Sequence, residues 1–135
     1  MKALSVVTKA GQLISSGKKT LEIRSWRPNE CPIKDLAIVQ NERRLTREDP
    51  VDANGVVVAI VDVLKIREWK KEDAEASCSE WEEGWLAWEL TNIREVVDGP
   101  AVPAERRIYE IKTSIEELKT GENKALQTTS ASRRV

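Results

Sequence analysis

Lys19, Glu22 and Arg24 carry the chemistry most readily read from this chain. They lie in the stretch Ser16-Gly17-Lys18-Lys19-Thr20-Leu21-Glu22-Ile23-Arg24-Ser25-Trp26. A guanidinium presents a planar fork of donors suited to phosphate or carboxylate, and a carboxylate can pair with it or accept from a base amino group. From Leu21 the pattern has period two. Leu21 and Ile23 point one way, and Glu22, Arg24 and Trp26 the other. Strand geometry puts the Cα atoms of Glu22 and Arg24 about 7 Å apart. Phosphate on Lys19 and Arg24, with a base read by Glu22 and stacked on Trp26, makes a coherent nucleotide site. The plainer alternative is a structural ion pair between Glu22 and Arg24 that ties strand to helix. Lys9, on the helix before this stretch, is a candidate phosphate contact. Gln40 and Asn41, at the end of an apolar strand, can hydrogen-bond a base edge. Arg43-Arg44 and Arg106-Arg107 read either as solvated charge or as the rim of an RNA path.

The elements that must position these residues follow from pattern. Residues 3 to 7 form an opening strand, and Thr8 caps a helix over 9 to 16 with Ala10, Leu13 and Ile14 inward. Gly17 ends that helix, because glycine adopts the left-handed conformation that closes the last turn. Arg27-Pro28-Asn29 breaks the strand that carries the charged face. Strands are expected at 35–40, 55–64, 85–92 and 106–112, the second being the strongest because it is β-branched nearly throughout. Residues 41–54 read as a loop with one helical turn, 68–83 as an acidic helical segment anchored by Trp69 and Trp81, and Asp98-Gly99-Pro100 as a turn. Trp88 alternates with Leu86 and Leu90 and belongs to the core, and Asp62 falls at an exposed strand end. Strands without regular helix alternation exclude a parallel α/β sheet. The expectation is a mainly β, α+β domain over residues 1–115, a small barrel of five or six strands with one or two short helices, and a flexible tail over 116–135.

Composition narrows the function classes. The chain has 135 residues, a net charge of −1 and no His or Phe, with five Trp and one Tyr. No global basic field announces nucleic acid, although a local cleft can still be positive. Absent His removes the commonest general base and metal ligand, so no metal and no cofactor are expected. Cys31 and Cys78 lie far apart and read as reduced thiols. With no secretory leader pattern and no membrane-length apolar run, the expected setting is the cytoplasm, or the nucleus in a eukaryote, with a monomeric protein and no membrane partner.

The order of pieces resembles the ASCH domain, a relative of the PUA domain, over about residues 3 to 112. The residues that carry the resemblance are the opening Leu-Ser-Val strand, Gly17, Lys19, Glu22 and Arg24 in a Gly-x-Lys-x-x-Glu-x-Arg pattern, Gly55 to Asp62, and Ala87-Trp88-Glu89-Leu90-Thr91-Asn92. Ser25-Trp26 is similar to the branch nearest the transcription coactivator homologues. The resemblance implies a PUA-like β-barrel whose cleft lies between the first helix and the barrel, lined by Lys19, Glu22 and Arg24, with RNA or a nucleotide-like molecule as partner. It also implies a hydrolase alternative, a ribonuclease or an amidohydrolase on acylated cytidine, with Lys19 and Glu22 catalytic. Those amidohydrolases carry Thr where this chain has Glu22, and the family's aromatic lead-in to the helix is here Val7-Thr8-Lys9. A third alternative is a protein adaptor that docks through the Trp-rich acidic segment or the tail.

Overall fold

The structure, a computed structural model, describes residues 1–123. Its elements are β1 (Lys2–Val7), α1 (Thr8–Ser15), β2 (Leu21–Arg24), β3 (Ile33–Asn41), β4 (Val51–Glu68), α2 (Ala74–Ser77), β5 (Leu86–Val97), β6 (Ala101–Glu105), β7 (Ile108–Glu110) and β8 (Lys119–Asn123), with 3-10 turns at Lys71–Asp73 and Ile115–Glu117. The chain is mainly β with two short helices. Among the described residues its eight strands exceed the expected five or six: β6 and β8 were not expected, each only five residues long, β6 interrupted by Pro103 and β8 almost wholly polar.

One sheet runs in the order β2-β5-β4-β3-β1-β7, with β6 on β4 and β8 on β5. Among the described residues, no backbone pairing joins β2 to β7, so hydrogen bonds do not close the barrel. Alternation sorts the side chains into two cores. Leu4, Val6, Leu36, Ile38, Val61 and Val63 face α1, where Ile14 is fully buried. Ala3, Ala37, Val39, Val57 and Ile60 face the other way, under Val102 and Leu118. Trp88 is fully buried in the first core, as its alternation implied.

Several expected boundaries move. Thr8 is the first helical residue rather than the cap, and its Oγ1 donates to the Asn41 carbonyl at 3.1 Å. Strand β4 extends beyond 55–64 to 18 residues. A register shift between Asp52 and Gly55 absorbs its polar start. The 41–54 segment contains no helical turn; β4 begins inside it. The acidic 68–83 segment holds only a 3-10 turn and the single turn α2, with Trp69 buried and Trp81 Nε1 donating to the Trp69 carbonyl at 2.8 Å.

Asp98-Gly99-Pro100 does not reverse the chain. Strand β4 pairs Val51 with Glu105, Val56 with Ala101, Ala59 with Glu95 and Glu68 with Leu86, so β5 and β6 run in one direction along it. The tripeptide is an offset between them, held by Val57 N–H to the Pro100 carbonyl at 3.1 Å. Asp62 is not an exposed terminus: it accepts Arg94 Nη2 at 2.9 Å and the Asp35 amide at 2.9 Å. Residues 116–123, expected to open the tail, complete a 3-10 turn, bury Leu118 and pair β8 with β5. Residues 124–135, the rest of the segment expected as a flexible tail, lie outside the described residues.

Candidate functional site

Gly17, at φ 80°, ends α1 as its position implied, and the amides of Lys18 and Lys19 return to the Leu13 carbonyl at 3.0 and 2.9 Å. This return sets Lys19 directly beneath β2. Its Nζ is buried, donates to the Ser77 carbonyl at 2.6 Å and stands 3.6 Å from Glu22 Oε1. Glu22 is 6% exposed and accepts Arg24 Nε on Oε2 at 2.8 Å. Arg24 Nη2 then donates to the Ser5 carbonyl at 2.9 Å, bridging β2 to β1 across the gap that the sheet leaves open. The three residues therefore form one chain of charge, Lys19 to Glu22 to Arg24, centred on a carboxylate with both oxygens engaged.

A cleft of about 530 Å³ lies over this chain. Glu22, Arg24, Trp26, Ser5, Val6 and Asn41 are among the residues that line it. Lys19 sits behind Glu22 and does not line it. Lys9 is exposed on α1 away from the cleft. Gln40 also stays outside, its Oε1 buried against α1 where a Cβ on Gly11 would lie 2.5 Å away. Asn41 is 2% exposed and its Nδ2 is committed to the Arg43 carbonyl and to Asp52 Oδ2, the latter at 3.4 Å. The Asn54 amide, with Asn41 and Arg43, holds the Asp52 carboxyl below its ordinary range.

The rim is arginine. Arg43 is tied to Asp49 at 2.8 Å and to the Val51 carbonyl, which folds the β3–β4 loop over the cleft and places Arg44 and Arg47 on its wall. Arg106 and Arg107 enter from the β6–β7 connection. Among the described residues, Arg44, Arg47, Arg106 and Arg107 make no ion pair, and all four are exposed. Glu105 is the one other acidic residue on the cleft wall besides Glu22. Arg107 Cζ lies 4.8 Å from the Trp26 ring centroid, and Trp26 meets Trp88 at 84° with centroids 4.9 Å apart. Strand β2 ends at Arg24, so Trp26 reaches the cleft from a bend rather than by strand alternation.

Ser5 Oγ accepts the Glu105 amide at 3.2 Å and shares a hydrogen bond with the Tyr109 hydroxyl at 2.9 Å. Burial pushes the Tyr109 phenol up, against the lowering effect of Ser5. Sequence reasoning missed Ser5, Arg47, Glu105 and the cleft position of Trp85. Arg47 had a signal in its neighbours Arg43-Arg44; Ser5 had none, since a serine inside an apolar strand looks like any other.

The sequence model of the ASCH domain family matches residues 4–100. No curated protein matches the chain. Comparison with solved structures finds crystal structures of two single-residue mutants of the ZmASCH protein from Zymomonas mobilis. One is 15% identical, covering 78% of this chain and 87% of that one at a TM-score of 0.44. The other is 14% identical and covers 96% of each chain, also at 0.44. Among the described residues, no helix is long and apolar enough to cross a membrane. No group of three His, Cys, Asp or Glu is placed among them to hold a metal.

Proposed function

The chain belongs to the ASCH domain family, and from that membership and the charge around its cleft we propose that it binds RNA, or a nucleotide-like ligand, without turning it over. One observation carries the reading: four arginines that make no ion pair among the described residues open onto a single cleft in a chain of net charge −1. Like charges are not held together at an exposed site by their own attraction, and a polyanion is the partner that relieves their repulsion. Arg24, aimed by Glu22, and Arg43, tied to Asp49, add two further guanidinium groups to the lining. Arg44 comes from the β3–β4 loop and Arg106 from the β6–β7 connection, and both line the cleft.

Binding is favoured over hydrolysis by the state of Lys19 and Glu22. A general base needs a free lone pair within reach of the proton it takes. Lys19 Nζ donates to Ser77 and does not line the cleft, and both oxygens of Glu22 already face a cation. Binding of a fluorescein-labelled single-stranded oligouridylate, followed by anisotropy, tests the proposal. Arg44→Ala with Arg106→Ala should weaken binding by roughly tenfold. Unchanged affinity in the double variant would overturn it, as would no binding by the wild-type protein.

A further inference from the structure

Arg107 is the least expected residue of the cleft. It takes a left-handed φ of 59°, a conformation uncommon for a residue with a side chain. Its guanidinium lies over the Trp26 indole rather than reaching toward Glu105, the neighbouring carboxylate. Trp26 is in turn braced by Trp88 and packed against the first core, so the indole is held while its cover is an exposed side chain.

We propose that Trp26 is the stacking face for one unpaired nucleobase, and that Arg107 is a displaceable cover which moves from the indole to the phosphate of the same nucleotide. The inference rests on the reading of the cleft as a nucleotide site and specifies what that site selects: a unit with both a free base face and a phosphate. Magnitudes favour the exchange. Stacking a base on an aromatic side chain contributes roughly 5- to 150-fold in affinity, whereas an exposed cation–π contact contributes about 2- to 5-fold. The released guanidinium is not lost, because it regains a charge-assisted partner in the phosphate. A duplex keeps its bases stacked on one another, so it can use the arginines but not Trp26. A free mononucleotide and a single strand share the required chemistry.

The test compares four probes, uridine, uridine monophosphate, a single-stranded oligouridylate and the same strand in a blunt duplex with oligoadenylate, by anisotropy or calorimetry. The wild-type protein should bind the single strand at least tenfold tighter than the duplex. Trp26→Leu should lose about tenfold on the single strand and under twofold on the duplex. Arg107→Ala, at an exposed bend, should improve uridine binding about twofold and weaken the monophosphate about fivefold. Monophosphate binding comparable to that of the single strand identifies a free nucleotide as the ligand; a strong gain with strand length identifies RNA. Equal losses on both strands in Trp26→Leu, or parallel changes for uridine and its monophosphate in Arg107→Ala, would overturn the inference while leaving the cleft reading intact. No wild-type binding to any probe overturns both.

Discussion

Glu22 is the residue on which the site depends, although a ligand need not touch it. Its carboxylate holds a buried lysine on one side and the cleft arginine on the other. Removing one member of a buried ion pair leaves the others desolvated and unpaired, at a cost of about 3 kcal/mol. Glu22→Gln should therefore lower unfolding stability by that order in urea titration. A loss below about 0.5 kcal/mol would show that the chain of charge is not what holds β2 to its neighbours. Adding Lys19→Met, which removes the stranded ammonium, should recover part of the loss. The residue types and their spacing announced this triad. What spacing did not reveal is that its lysine faces Ser77 instead of the cleft, since that depends on where a distant turn brings a carbonyl.

At the scale of elements, a polar clamp sits at the far end of β4. Arg67 joins Asp73 at 2.7 Å and Glu89 at 2.6 Å, tying β4, the 3-10 turn and β5 together. The Arg67 hydrogen bond holds the Asp73 carboxyl below the ordinary 3.8, with the Lys70 amide assisting against the effect of burial. A depressed folded pKa means that the unfolded chain takes up the proton first. The stabilisation is thus present above about pH 4 and is lost as pH falls toward the folded value. Asp73→Asn should cost about 2 kcal/mol at neutral pH and flatten the loss of stability below pH 4, as read by thermal melts across pH. A parallel acid limb in the variant would assign the loss to other carboxylates. The β5–β6 offset makes a second element-level prediction. A Cβ on Gly99 would lie 1.8 Å from the Val57 carbonyl oxygen, so Gly99→Ala must push backbone apart. It should destabilise by at least 1–3 kcal/mol (order of magnitude), and an unchanged melting temperature would mean that the offset can slide.

Taken whole, the molecule is nearly neutral, yet Arg44, Arg47, Arg106 and Arg107 share one cleft. Local concentration of charge, and not the total, sets the salt response of binding. Four arginines engaged by single-stranded phosphates should give a slope of log affinity against log salt of about −3. A slope near zero would leave the arginines out of the binding surface. The sequence by itself determined the class of the fold and its central strands, because the period-two apolar pattern leaves strands such as β3 and β4 few other ways to bury their side chains. It also determined the helix stop at Gly17 and the Gly-x-Lys-x-x-Glu-x-Arg stretch, which are local in cause. Only the tertiary structure decided which arginines share a cleft. Arg44, Arg47, Arg106 and Arg107 come from two loops far apart in the chain, and surface arginines carry no periodicity that marks a partner. Tertiary structure likewise decided that β5 and β6 run on in one direction past Gly99, since a turn tripeptide reads the same whether it reverses a strand or offsets it. The gap between β2 and β7 is the same kind of fact: it depends on how far a curled sheet falls short of its own edge, a distance to which every strand contributes.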